Sequence, residues 1–395
     1  MNNFPPGSGN NSSEKLPTLH LDFLDGLRAI AALYVMSHHA WLTVFYADRR
    51  PTLLQSSFTY WLNYGHFAVD LFIVLSGFCL MIPVVRAGDS LAGGAMTFLK
   101  KRARRILPTY YAALAVSLIF ATTLLSHKIG TIWDMSLPVT KMGVLAHLLL
   151  LQNMHRSMEI NSVFWSIAVE CQIYLLFPLI IVLWKTIGWQ KASAASIITG
   201  LVVSFFVEHT RFRGLTAHYL ALFTFGMLGA AISFSPVPLL SHYRRMVPWN
   251  WISIVLCGLT ILICALFTKR ISMYNVPIDL LVGFCSATAI IAMARDEKNL
   301  LRRILSWKPL VVIGTFSYSL YLIHMPLLQT FWQFVLVPMH LSNFGKLVLL
   351  CLYGGPLIVF CSFLFFLAFE RPFISNRRII NSNDLAAGVA LSPAP

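Results

Sequence analysis

Residues 24–46 read LDGLRAIAALYVMSHHAWLTVFY, a mostly apolar run that contains one arginine and two adjacent histidines. The run is close to the roughly 20 residues that cross a hydrocarbon core as an α-helix. Arg28 and His39 are eleven residues apart, which is close to three helical turns, so both lie on one face about 16 Å apart. A charged or titratable side chain inside a span is costly, and it favours a functional role. The stretch therefore predicts a membrane helix with a functional polar face.

The composition of the whole chain supports the same environment. Charged residues make up 11% of the 395 residues and hydrophobic residues 57%, whereas an average soluble domain has about 25% charged residues. We therefore predict an all-α, polytopic integral membrane bundle of about ten helices rather than two or three soluble domains. The predicted spans are 24–46, 66–85, 106–126, 163–186, 193–208, 217–235, 250–268, 277–294, 310–337 and 345–369. A further apolar run at 144–151 predicts an interfacial or re-entrant helix.

The positive charge indicates how the chain is oriented in the membrane and not a nucleic-acid partner. The net charge is +15, but the basic residues lie between the apolar runs, and most of them fall on one predicted side of the membrane. This positive-inside bias places both termini in the cytoplasm. The predicted organisation is a disordered cytoplasmic tail at 1–19, a transmembrane domain at 20–372 and a cytoplasmic tail at 373–395.

Cysteine usage gives no sign of metal or disulfide chemistry. The seven cysteines all fall inside apolar runs and have neither metal-ligand nor disulfide spacing. We interpret them as small core residues, and we expect no bound metal.

Other predicted spans carry polar side chains at helical spacing. His66 and Asp70 are four residues apart near the outer end of the second span, so we expect them to face each other. Ser166 and Glu170 share a face of the fourth span for the same reason. Hydrogen bonding between neighbouring spans is the structural alternative in both cases.

The ninth predicted span carries a stripe of polar side chains. Ser317, Tyr321 and His324 follow the i, i+4, i+7 pattern of one helix face. Interhelical hydrogen bonding explains such a stripe as well as a functional site does.

A basic cluster precedes the third span. Residues 100–111 read KKRARRILPTYY, and Arg102 and Arg105 are one helical turn apart in a predicted cytoplasmic loop before Pro108. Basic residues here would orient the span in any case. Paired arginines also suit phosphate, because each guanidinium can bind two oxygens. The pair therefore predicts a phosphorylated cytosolic ligand or an anionic lipid headgroup.

Five motifs in order resemble the acyltransferase type 3 family of membrane O-acyltransferases. The resemblance covers roughly residues 20–372, and its motifs are LDGLR (24–28) followed by His39, VDLFIVLSGF (69–78), RARRILP (102–108), WSIAVE (165–170) and SYSLYLIH (317–324). It implies that His39 is catalytic, that Arg28 supports it, and that Arg102 and Arg105 bind coenzyme A. Glu170 and the region of Ser317 and Tyr318 match functional motifs, and we place Glu170 among the catalytic residues. The residues expected to bind substrate or support catalysis are Asp25, His66, Asp70, Ser76, Ser166, Ser317, Tyr318 and His324.

The implied reaction moves an acyl group from a cytosolic acyl-CoA, usually acetyl-CoA, to a hydroxyl. The implied acceptor is a cell-surface or lipid-linked carbohydrate, as in polysaccharide modification, and the implied location is the bacterial inner membrane. Neutral imidazole is the usual base for deprotonating an alcohol near pH 7, so His39 is the expected general base or acts within an acyl-enzyme route. Some family members carry an extracellular hydrolase-like domain; none is visible here, so we expect catalysis within the spans.

Two alternatives remain open at this point. A small secondary metabolite such as a macrolide is the alternative acceptor, because stand-alone family members of this size also resemble enzymes that acylate such metabolites. A secondary transporter is the alternative from a different class, because polar residues on kinked spans are typical of transporters, although the sequence has no repeated halves. The sequence does not indicate an oligomeric state.

Overall fold

The backbone of the protein is helical throughout the part that the structure describes. The structure is a computed structural model and describes residues 21–46, 49–154, 158–208, 210, 212–267 and 276–374. Residues Asp22 to Ile374 form one compact unit, and no strand occurs among the described residues. The prediction of an all-α bundle is confirmed. The predictions for the terminal tails lie almost wholly outside the described residues.

The described part of the chain forms sixteen α-helices. Within the described residues they are α1 Asp22–Val44, α2 Leu53–Thr59, α3 Phe67–Arg86, α4 Gly94–Thr122, α5 Lys141–Leu148, α6 Trp165–Ile187, α7 Trp189–Val207, α8 Tyr219–Phe234, α9 Pro238–Met246, α10 Trp249–Leu266, α11 Val276–Arg295, α12 Leu300–Leu305, α13 Lys308–Thr315, α14 Ser317–Phe331, α15 Asn343–Leu349 and α16 Gly355–Phe369. Single π-helical turns extend α14 and join α15 to α16.

Seven described helical segments are long and apolar enough to cross a membrane, and the number rises to nine if each of two bent pairs counts as one span. The bent pairs are α8 with α9, at 91°, and α13 with the extended α14, at 74°. Helix α1 is not among these segments, because Arg28, His38 and His39 lower its mean hydropathy. The chain is therefore a multi-pass integral membrane protein with seven to nine candidate spans by this criterion.

Helix α1 packs against α3, α13 and α14, and glycines permit the closest approaches in this part of the bundle. A Cβ atom at Gly26 would overlap the backbone carbonyl of Leu305, and one at Gly314 would overlap that of Asp25. Small residues allow helix backbones to approach in this way. The backbone at the start of α1 thus packs directly against the backbones of α12 and α13.

Helices α3 and α8 meet through a second pair of glycines. A Cβ atom at Gly77 would overlap the carbonyl oxygen of Phe223, and a Cβ atom at Gly226 would overlap that of Val74. Because backbone atoms line both contacts, neither neighbour can rotate out of the way. This close contact fixes the position of Ser76, which lies beside Gly77.

Two sequence predictions about local structure are wrong. The arginine pair at 102 and 105 lies inside α4, which begins at Gly94, and not in a loop. The ninth predicted span, 310–337, is broken at Phe316 into two helices. The predicted short helix at 144–151 corresponds to the eight-residue α5.

Candidate active site

One end of the candidate site is built around Arg28, near the start of α1. Its Nη1 donates to Asp25 Oδ1 one turn earlier, and its Nη2 lies 3.0 Å from Cys79 Sγ on α3. The aspartate supplies a neighbouring countercharge. A guanidinium held from two helices has little freedom to leave this position.

Next to this arginine, between α3 and α6, lies a cluster of one carboxylate and two hydroxyls. Ser76 Oγ donates to Glu170 Oε1 at 2.6 Å, and the Tyr174 hydroxyl donates to the same oxygen. The two hydroxyl oxygens are 3.0 Å apart. The structure thus brings together Ser76 and Glu170, which the sequence placed in separate motifs, and adds Tyr174 from α6.

Helices α6 and α14 contact each other nearer to the start of α6. The hydroxyls of Ser166 and Tyr321 are 2.7 Å apart, and Tyr321 also donates to the Val163 carbonyl. The Tyr321 ring contacts Phe72 of α3 edge-on and lies beside the His324 ring. Tyr321 therefore connects the carboxylate cluster to the histidines.

Two histidines from distant parts of the chain form a hydrogen-bonded pair. His39 Nδ1 lies 2.9 Å from His324 Nε2. His324 Nδ1 lies 2.7 Å from the Tyr321 carbonyl oxygen and 3.1 Å from that of Leu320. The predicted His39 and His324 are therefore in direct contact, at the opposite end of α1 from Arg28.

The hydrogen-bond partners determine which tautomer a neutral pair adopts. Carbonyl oxygens only accept, so Nδ1 of His324 carries a hydrogen and its Nε2 is the acceptor. His39 Nδ1 is then the donor to that nitrogen. The lone pair of His39 consequently lies on Nε2, where a general base needs it.

These groups form a continuous series, which we call the polar ladder; its members are Arg28, Cys79, Ser76, Glu170, Tyr174, Ser166, Tyr321, His39 and His324. Cys79, Ser76 and Phe72 lie about one turn apart on α3 and contact Arg28, Glu170 and Tyr321, respectively. On α14 the Tyr321 ring lies beside that of His324. The ladder connects Arg28 to His39, which are about 16 Å apart along α1.

The arginine pair occupies two different environments on α4. Arg102 lies over the Phe98 ring, with its guanidinium carbon 5.9 Å from the ring centre. It interacts electrostatically with Glu170 and Tyr174, and its buried Nε has no hydrogen-bond partner among the described residues. Arg105 is more exposed and lies 3.8 Å from Glu370 Oε1. Arg102 therefore interacts electrostatically with members of the polar ladder, and Arg105 pairs with Glu370 outside it.

The remaining predicted residues make their own contacts around the ladder. Ser317 donates to the Gly314 carbonyl at the helix break, and Tyr318 donates to the Ile106 carbonyl of α4. His66 Nε2 and Asp70 Oδ2 are buried and have no hydrogen-bond partner among the described residues. That the two side chains face each other stays a prediction.

A second buried polar group surrounds Asp70. Asp70 interacts with Asp279 of α11 and with the Tyr219 hydroxyl, and Asp279 pairs with His218 at 3.0 Å. The sequence analysis did not identify Asp279 and His218, although an aspartate inside a predicted span is itself a signal. It also missed Glu370, a single acidic residue that directly follows the last span.

The structure thus defines a membrane-type helical bundle that carries a hydrogen-bonded histidine pair toward one end of α1 and two arginines on α4. The chain belongs to the acyltransferase type 3 family: the family model described as an acyltransferase domain matches residues 21–369. The resemblance inferred from the five motifs is confirmed, and it places the chain in a family of acyltransferases. The family assignment gives no support to the transporter alternative.

Curated relatives agree with this class. The chain is 25% identical over 348 residues to the putative peptidoglycan O-acetyltransferase YrhL of Bacillus subtilis, covering 79% of this chain and 51% of the relative. It is 27% identical over 335 residues to the O-acetyltransferase OatA of Staphylococcus aureus, covering 78% and 51%. It is also 27% identical over 329 residues to the acyltransferase MdmB of Streptomyces mycarofaciens, covering 78% of each.

The chain thus spans about half the length of the first two of these relatives. No solved structure matches the chain.

Proposed function

We propose that the protein is a membrane O-acyltransferase that moves an acyl group, in the first instance acetyl, from a cytosolic acyl-CoA to a hydroxyl of a cell-surface or lipid-linked carbohydrate. The observation that carries this proposal is the His39–His324 hydrogen bond, which leaves the lone pair of His39 on Nε2. Relatives named as O-acetyltransferases, one of them for peptidoglycan, support the glycan acceptor.

The proposed chemistry needs one base and one leaving group. His39 Nε2 takes the proton of the acceptor hydroxyl while the oxygen attacks the thioester carbonyl carbon. The carbon–sulfur bond then breaks, and the imidazolium returns the proton to the coenzyme A thiolate, so the products are an ester and a free thiol. His324 Nε2 accepts from His39 Nδ1 throughout and stabilises the imidazolium, as an orienting partner does in a catalytic triad.

The donor site is proposed at the inner end of the polar ladder. Guanidinium groups bind phosphate oxygens in a bidentate way, and the unpartnered Nε of buried Arg102 is a donor that such a ligand would satisfy. Arg105 adds a second cation one turn away. The thin pantetheine arm would then lie along the ladder, with Arg28, Ser76 and Glu170 beside it, and would bring the thioester toward His39.

We propose the topology that the charge distribution favours. Adding α1 to the upper count of nine spans gives the ten predicted spans, with both termini in the cytoplasm and the protein in the bacterial inner membrane. Polar side chains exclude α1 by the hydropathy criterion, but they face α3 and α14 within the bundle rather than lipid. A polar helix enclosed in this way can cross a membrane.

The direct test is acyl transfer by the purified full-length chain in proteoliposomes, with radiolabelled acetyl-CoA and an isolated cell-wall glycan. We expect His39→Ala to abolish label transfer and the exposed control His242→Ala to retain it. Retention of full transfer by His39→Ala would refute the proposed base. Uptake of the glycan without covalent label would refute transfer altogether.

A small hydroxylated metabolite is the second candidate acceptor. The Streptomyces relative, whose name specifies only an acyltransferase, matches over the same 78% of both chains, whereas the two O-acetyltransferases are matched over half their length. Label transfer to a macrolide but to no glycan in the same vesicles would favour this acceptor.

A further inference from the structure

Glu370 is a buried acidic residue that the proposed reaction does not yet use. It directly follows α16 and is 1% exposed. Ser319 Oγ donates to its Oε2 at 2.6 Å. Its Oε1 lies 3.8 Å from Arg105 Nη2 and has no hydrogen bond within the described part of the chain. Glu370 therefore presents one oxygen to an arginine that we place in the donor site.

The turn of α4 that carries Arg105 is fixed by neighbouring contacts. The Tyr318 hydroxyl donates to the Ile106 carbonyl at 3.3 Å, and Thr109 Oγ1 donates to the Phe369 carbonyl at 3.1 Å. These bonds hold the backbone of α4 against the start of α14 and the end of α16. The geometry between Glu370 and Arg105 is thus set by three helices and not by two flexible side chains.

An ionised carboxylate in this position is costly unless its charge is balanced. The Ser319 hydroxyl satisfies one oxygen, and Arg105 is the cation beside the other. The distance of 3.8 Å is that of an ion pair without a hydrogen bond. Burial raises the pKa of Glu370, while Arg105 and Ser319 act in the opposite direction.

We propose that Glu370 is a positioning residue for Arg105, holding one edge of its guanidinium so that the other N–H groups face the phosphates of the acyl-CoA donor. This inference rests on the proposed function, because it assumes that Arg105 binds the donor. A guanidinium has five N–H donors in a fixed planar arrangement, so one nitrogen near Glu370 leaves the opposite edge available. Arg105 is 42% exposed in its side chain, as access by a ligand requires.

A purely structural role predicts something different. In that case Glu370 would serve only to join α16 to α14 through Ser319. Glu370→Gln separates the two roles, because the amide oxygen can still accept from Ser319 while the negative charge is lost. Ser319→Ala is the complementary variant, since it removes the hydrogen bond and keeps the charge.

The test is steady-state acyl transfer in proteoliposomes with acetyl-CoA varied and the acceptor in excess. We expect Arg105→Ala to raise the KM for acetyl-CoA about tenfold, and Glu370→Gln to raise it about fivefold, with kcat little changed in both. Ser319→Ala should remain near wild type, and the double variant Arg105→Ala/Glu370→Gln should match Arg105→Ala alone, since the two residues act through one contact.

The outcomes separate this inference from the proposed donor site. An unchanged KM in Arg105→Ala would refute the donor site itself. A raised KM in Arg105→Ala with an unchanged KM in Glu370→Gln would refute the positioning role alone. If Glu370→Gln does not fold, the pH profile decides: protonation of Glu370 on acidification should raise the KM of wild type more than that of Arg105→Ala. Parallel profiles would overturn the inference.

Discussion

The hydrogen bond between the two histidines gives the sharpest prediction. His324→Ala removes the acceptor for His39 Nδ1, which lies 2.9 Å from His324 Nε2 in the intact protein. Without it, the imidazolium formed during the reaction loses the partner that accepts from its Nδ1–H group and stabilises its charge. We therefore expect kcat to fall while the KM for acetyl-CoA stays the same, because the arginines lie at the other end of the ladder.

The size of the effect follows from the charge that develops on His39. A hydrogen bond to a charged group contributes about 1.5–3 kcal/mol. At about 1.36 kcal/mol for each factor of ten in rate, the loss in kcat is about 10- to 150-fold. His324→Gln should lose less, because its amide oxygen can still accept from Nδ1.

The assay compares the rate constants of purified variants in proteoliposomes with their melting temperatures. His324 is fully buried, so alanine will also lower stability. His147→Ala is the matched control: His147 is equally buried and its Nδ1 also bonds a carbonyl of the preceding turn, but it lies on α5 and its ring packs on Phe164 rather than on another histidine. We expect this control to lose stability without losing kcat. A kcat within twofold of wild type in folded His324→Ala would refute this role of His324.

Three further predictions concern the inner rim and the helix contacts. Arg102→Ala should raise the KM for acetyl-CoA about tenfold or more, whereas the exposed Arg104→Ala on the same helix should not; equal values for both would contradict a specific donor site. Glu370 has a raised pKa, so its charge is lost as pH falls and the wild-type KM should rise; Glu370→Gln should flatten this part of the profile. Gly77→Ala should lower the free energy of unfolding by about 1–3 kcal/mol in a denaturation experiment, because the added Cβ meets a backbone carbonyl. The control Gly258→Ala, which has open space around it, should leave stability unchanged. Equal losses of stability in the two variants would contradict the close contact at Gly77.

The sequence predicts best what depends on one helix. Arg28 and His39 share a face because they lie on the same uninterrupted helix, and the structure confirms that α1 is continuous between them. The spacing of Tyr321 and His324 is likewise local, and both point toward α1 and α3. Helical periodicity alone is sufficient for such relations.

Contacts between different helices do not follow from helical periodicity. Ser76 and Glu170 are 94 residues apart, and His39 and His324 are 285 apart. No spacing rule predicts which spans become neighbours, so pairwise hydrogen bonding could be proposed only in general terms. The two members of the histidine pair appeared in the sequence as separate candidates with different roles.

The break at Phe316 shows a different limit. Hydropathy is similar on both sides of it, and the sequence has no proline there, so the run 310–337 looks like one span. The structure bends the chain by 74° at this point, with Gly314 seated on the backbone of Asp25 and Ser317 bonded to the Gly314 carbonyl. The bend is accompanied by tertiary packing against α1. Hydropathy averaged along the sequence contains no information about such packing.

The polar ladder also accounts for the charged and titratable residues that keep α1 out of the apolar candidate spans. Each costly residue on α1 has its partner on another helix or in the adjacent turn: Arg28 has Asp25 and Cys79, and His39 has His324. Such residues can be buried only if the surrounding helices supply those partners. Replacing a single partner should therefore leave a buried polar group unmatched, so we expect kinetic defects and stability losses to occur together along the ladder. In the proposed positioning of Arg105 by Glu370, the arginine is partly exposed, and Glu370→Gln keeps the bond to Ser319, so there the two effects can be separated.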